Sequence, residues 1–116
     1  TPLNPVTDVA LAPDGTLSFA NAAIDAGLTT GGAYEIAWAR FDNDTGVTTT
    51  VATTRASEPR ASGPPTLLSE AAFIAVTIRT THPDYPAWAQ PVRAWLRRDG
   101  ARWATVGLER EGGIGR

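Results

Sequence analysis

The 116-residue sequence contains no cysteine, no methionine and no lysine, and its single histidine is His82. Without cysteine there are no thiol nucleophiles, no disulfides and no cysteine-ligated zinc or iron–sulfur centres. One imidazole does not make a histidine-rich metal cluster, so only oxygen-ligand cations remain as metals and no cofactor is expected. A dominant charge is lacking too. Twelve acidic against ten basic residues give a formal charge of −2, which provides no broad basic field for a nucleic-acid backbone or anionic lipid. No apolar run approaches the ~20 residues of a membrane helix, and no charged-then-apolar leader is visible. The composition therefore implies a soluble chain that neither inserts into a membrane nor binds nucleic acid. All ten basic residues are arginine, and with the heavy use of alanine, glycine and proline this resembles the coding bias of a GC-rich bacterium. The start at Thr1 and the lack of methionine read as a module or processed piece of a larger protein. The length suits one domain, 1–116, around one core.

Long amphipathic helices are also missing. What is present is period-two alternation between turn signals. In "VALAPDGTLSF", residues 9–19, Pro13-Asp14-Gly15 favours a type I turn closed by a left-handed glycine. Leu11 then faces Leu17 and Val9 faces Phe19, with Thr16 and Ser18 toward water. In "YEIAWARFDNDTGVTTTVATT", residues 34–54, Tyr34, Ile36 and Trp38 alternate with smaller or polar residues, the chain turns at Asp42–Gly46, and a threonine-rich strand returns. That return strand has β-propensity but little to bury, which suits a sheet edge. In "PVRAWLRRDGARWATVGLER", residues 91–110, a three-residue loop of Arg98, Asp99 and Gly100 is expected. It pairs Val92 with Val106 and Ala94 with Ala104, and sets Trp95 opposite Trp103 with Arg93 and Arg97 on the same side.

"RASEPRASGPPT", residues 55–66, lacks periodicity and reads as a loop. "FIAVTIRT", residues 73–80, reads as a further strand, and "NAAIDAGLTTGG" has room for one short helical turn capped by Asn21. Seven strands with regular turns predict an all-β fold, an antiparallel β-sandwich.

The strand number, the turn spacing and Trp38 within "YEIAWARF" resemble fibronectin type III and related immunoglobulin-like accessory modules. Phe73 stands in the region where that family places a tyrosine near its sixth strand. The resemblance implies a non-catalytic domain of a bacterial exported protein, hence an extracytoplasmic setting, and no functional residue is carried over by it. Separately, "PAWAQPVRAWLRRDGARWATVGLER" resembles the closing segment of some uncharacterised bacterial proteins.

Candidate chemistry is sparse. "HPDYPAWAQP", residues 82–91, gathers His82, Asp84, Tyr85 and Trp88 between three prolines that stiffen the segment. It reads first as a sandwich corner whose aromatics plug the core, and second as a binding surface formed by His82, Tyr85 and Trp88. The acids sit mainly in turns, at Asp14, Asp42, Asp44 and Asp99, and no serine lies in a nucleophile-elbow context, so no enzyme is expected. "DNDTG" at 42–46 has its glycine one place too early for a calcium loop and lacks the distal glutamate. Two functions remain for Trp95, Trp103, Arg93 and Arg97. The first is packing against a neighbouring domain, a partner protein or a second copy of the chain. The alternative is a carbohydrate-binding face on which the indoles stack against a glycan and the arginines donate hydrogen bonds.

Overall fold

Alternating apolar residues give this chain strands with one oily face each, and two sheets close those faces on one another. A computed structural model describes residues 6–21, 33–42, 44–81 and 90–110. The elements are β1 (Val6–Leu11), β2 (Thr16–Asn21), β3 (Ala33–Phe41), β4 (Thr48–Ala56), β5 (Arg60–Ser62), α1 (Pro65–Glu70), β6 (Phe73–Thr81), β7 (Val92–Asp99) and β8 (Arg102–Arg110). One sheet has the order β1-β2-β5 and the other β4-β3-β6-β7-β8, and every pairing is antiparallel. The fold is an all-β antiparallel sandwich with one short helix, as the alternation predicts. β4 lies at a sheet edge and Trp38 lies in β3, between β4 and β6.

The first turn is built as its residues require. Gly15 has φ +93°, the Gly15 amide donates to the Ala12 carbonyl, and the Thr16 amide donates to Asp14 Oδ1 at 2.9 Å. Leu11 pairs with Leu17. Beyond the next pair, Ala10 with Ser18, the register slips, with Asp8 at φ +52°, a left-handed conformation that aspartate tolerates better than most residues. The slip has a use. Val6 and Val9, three residues apart, would face opposite sides of a regular strand, yet both are buried.

Three features depart from the sequence expectation. Within the segment expected to be a loop, β5 adds an eighth strand, because Ala61 is buried between exposed Arg60 and Ser62 and pairs with Leu17 of β2. The helix forms at Pro65–Glu70, where Pro65 pre-sets the first turn and Leu67 is buried. Its last carbonyls are satisfied from β7, as Arg98 donates to the carbonyls of Leu68 and Ala71. The helical turn expected between Asn21 and residue 32 lies outside the described residues, apart from Asn21, which ends β2.

The third departure is the final hairpin. Its loop is Gly100-Ala101, with Gly100 at φ +63° and Asp99 paired with Arg102. Arg98 therefore pairs with Trp103, and Trp95 pairs with Gly107. A bulge beside Val106 separates the two halves of the ladder. This register sets Arg93 opposite Glu109 and Asp99 opposite Arg102, so opposite charges face each other at both ends, which cross-strand pairing favours. Val92, Ala94 and Leu96 keep the core face that the sequence assigns them.

The core joins both sheets. Trp38, Ile36, Ile74, Ile78 and Leu96 come from the larger sheet, Leu17 and Val6 from the smaller, and all are fully buried. Phe19 meets Tyr34 across the sandwich, edge to face, with centroids 4.9 Å apart. Gly63 is a point of close approach: a Cβ there would lie 2.7 Å from Leu68 Cδ1 and 3.1 Å from the Trp38 ring. Gly63→Ala should therefore lower unfolding stability by about 1–3 kcal/mol in urea titrations, as overpacking does. An unchanged midpoint would mean that Leu68 yields freely.

Hydrogen bonds from the Thr16 backbone, then from its side chain, hold the Asp14 carboxyl below the ordinary carboxylate range. The linkage has a definite sign. The charged form is favoured by the folded turn, so the contribution is complete above the unfolded carboxyl's titration and fades as pH falls through the lowered folded value. Carbon-detected NMR titration should show Asp14 titrating below the same residue in a peptide spanning residues 12–17.

Candidate functional site

The outer face of the five-stranded sheet carries residues of opposite parity to the core. On β3 these are Glu35, Ala37, Ala39 and Phe41. On β6 they are Phe73, Ala75, Thr77 and Arg79, and on β7 they are Arg93, Trp95 and Arg97. One end of the face is charged, with Glu35 between Arg55 at 3.6 Å and Arg79 at 4.0 Å. The other end is aromatic.

There Phe41 meets Trp95 edge to face at 5.4 Å between centroids, and meets Phe73 likewise at 6.2 Å. Phe41 and Trp95 belong to β3 and β7, with β6 running between them. Strands two places apart are about 9–10 Å from one another, so the rings touch only because the intervening side chain is small. That residue is Ala75, the direct cross-strand partner of both Ala39 and Trp95. Ala75 and Ala39 are buried although they face away from the core, as expected of a floor beneath rings. Trp95 is enclosed on its other side by Gly107, where a Cβ would come within 3.3 Å of its Cδ1.

Polar groups fix the indole. Glu109 Oε1 accepts the Trp95 Nε1 proton, and the Arg93 guanidinium lies 5.7 Å from the ring centroid while its Nε donates to Thr77 Oγ1 at 3.1 Å. Arg97 is exposed beside Phe73 and makes no polar contact among the described residues. A cleft of about 300 Å³ opens next to the rings, bounded by Arg40, Phe41, Asp42, Glu70 and Phe73, with Arg40 and Glu70 paired at 3.4 Å across it.

Trp103 is not part of this face, which corrects the expectation of a Trp95/Trp103 pair. The observed register puts it opposite Arg98, on the core side, with the guanidinium 4.6 Å from its ring. It packs against the core near Leu68 and the 13–15 turn, beside a second cleft of about 310 Å³. The physical reason is the two-residue loop, which pairs Trp103 with Arg98 and so puts it on the face opposite to Trp95. His82, Tyr85 and Trp88 lie outside the described residues. Phe41 and Phe73 escape the sequence reading, although strand parity alone turns both outward. What was missing was the strand order that makes them neighbours of Trp95.

Five of the carboxylates are engaged locally. Asp14 and Asp42 accept backbone amides in their turns, Glu35 and Glu70 meet arginines, and Glu109 holds Trp95. Among the described residues no group of three or more His, Cys, Asp or Glu side chains is placed to hold a metal ion. No helix of the described residues is long and apolar enough to cross a membrane. Comparison with protein families, with curated proteins and with solved structures finds no match to this chain.

The Phe41–Trp95 contact is open to direct measurement. A double-mutant cycle of Phe41→Ala and Trp95→Ala should return a coupling of about 0.5–1.5 kcal/mol, the range for edge-to-face pairs. A coupling near zero would mean that the rings do not stabilise one another in solution.

Proposed function

We propose that the chain is a non-catalytic accessory module that packs the outer face of its five-stranded sheet against a neighbouring domain or a partner protein. The observation that supports this reading is the partly exposed trio Phe41, Phe73 and Trp95 on the face that an antiparallel sheet ordinarily gives to water. Aromatic residues with arginines at their margin, here Arg93 and Arg97, are the composition of interface centres. The use of the carboxylates in turns and ion pairs is in keeping with a non-catalytic role. Two antiparallel sheets with Trp38 at their centre are compatible with a fibronectin type III-like module, and an exported bacterial parent protein is part of the same proposal.

The glycan-binding alternative is the weaker one on this geometry. A sugar stacks on a free indole face, whereas Trp95 has Arg93 over its ring, Phe41 against it and its N–H already donated. Trp103, the other half of the expected platform, lies on the core side of the sheet.

Acrylamide quenching of a variant in which Trp95 is the sole tryptophan tests this reading. Trp95 should be quenched partly, well above the level of a sole Trp38, and soluble glycans should leave that quenching unchanged. Protection by a glycan would move the carbohydrate reading to first place. Quenching no greater than that of Trp38 would remove the face as a docking surface.

A further inference from the structure

Among the described residues the sandwich has four strand edges, and three of them are blocked. β5 is three residues long and runs into Gly63, Pro64 and Pro65. β1 is broken by its bulge, with Asp8 at φ +52°. β8 carries Arg102 and Glu109 and has β1 alongside, with Thr105 Oγ1 donating to the Val9 carbonyl at 2.9 Å. Brevity, bulges and charges are the usual means by which sheet edges avoid pairing with other chains.

β4 is different. It runs for nine residues without proline or an acidic residue, and its one charge, Arg55, is paired with Glu35 of the same sheet at 3.6 Å. Every side chain from Thr48 to Val51 is exposed, and Val47 and Val51 are 54% and 48% exposed. The tract "VTTTVATT", residues 47–54, is uncharged and rich in β-branched residues. Its one irregularity, the extra residue Val51, leaves Ala52–Ala56 in regular register with β3.

We infer that β4 is the docking edge for β4 of a second copy of this chain, joining two five-stranded sheets into one continuous antiparallel sheet across a two-fold axis. The strand is compatible in charge with its own copy. When Thr48–Ala56 pairs antiparallel with itself, Arg55 faces an uncharged residue in every register except the one centred on Arg55, so like charges do not meet. The remaining cross-strand pairs are threonine, valine and alanine, all compatible with a two-fold. An acidic or basic partner strand gains nothing comparable, because the edge offers no carboxylate and one guanidinium already engaged. One added strand pair is a small interface, so the dimer is reversible.

The absence of native cysteine makes the test clean. Sedimentation velocity over a concentration series should show a reversible dimer of the wild-type chain. Val51→Lys/Thr53→Lys and Val51→Glu/Thr53→Glu variants, each with an unchanged Tm, should be monomeric alone and should re-form a dimer when mixed. Single-cysteine variants from Thr48→Cys to Thr54→Cys should give oxidative cross-links that peak at one position, and Val106→Cys on β8 should give none. A wild-type chain that stays monomeric throughout overturns the inference, as does a lysine variant that dimerises like wild type, or cross-linking at Val106→Cys equal to that on β4. Trp95→Ala should leave the dimer intact. A dimer lost in Trp95→Ala and kept in the lysine variant would place self-association on the outer face, defeating this inference while supporting the face as a docking surface.

Discussion

Trp38 is the residue against which the rest of the sandwich is fitted. Its ring is fully buried, its Nε1 donates to Thr54 Oγ1 on β4 at 3.2 Å, and its far edge lies close to Gly63. The Gly63 amide in turn donates to the Gly15 carbonyl, which ties the first turn to the β5–α1 junction. A side chain as large as tryptophan at this depth fixes the spacing between the sheets, and the opposing backbone has to retreat to admit it. The helix and the short β5 strand follow from that constraint. They close the end of the core that the bulky ring props open, and Leu67 and Leu68 supply the apolar cover.

Much of this was legible in the residues and some was not, for identifiable physical reasons. The turn at Asp14-Gly15, the burial of Tyr34, Ile36 and Trp38 in alternation, the edge position of β4 and the core face of β7 each follow from local periodicity or turn chemistry. The register of the last hairpin does not, because three loops are compatible with "RRDGAR" and only the rest of the sheet chooses among them. The choice places Arg93 opposite Glu109, Asp99 opposite Arg102, and Trp103 opposite Arg98, three pairings that a strand-by-strand reading has no means of weighing together. α1 was hidden by its own prolines. "SGPPT" is a breaker in most contexts, and only the two leucines that follow show Pro65 acting as the first residue of a helix.

The candidate site shows the same division. Parity turns Phe41, Phe73 and Trp95 away from the core, and parity is a property of each strand alone. Their contact is a property of strand order, since β6 must lie between β3 and β7 and must offer Ala75 at the crossing point. Small residues on an exposed face therefore carry information that composition conceals: an outward alanine buried on a sheet surface marks a place where neighbouring rings lean across.

The outer face and the β4 edge belong to one sheet but point in perpendicular directions, so a partner on one does not occlude the other. They adjoin along β3, whose outward residues Glu35, Ala37, Ala39 and Phe41 pair with Arg55, Thr53, Thr50 and Thr48 of β4. A strand added along β4 would lengthen the outer face on the side of Phe41 and leave Trp95, three strands inward from that edge, untouched. The aromatic end of the face adjoins β4 through Phe41, whose ring is in edge contact with both Phe73 and Trp95. Phe41 thus lies beside both surfaces, paired with Thr48 of β4 and in ring contact with Trp95.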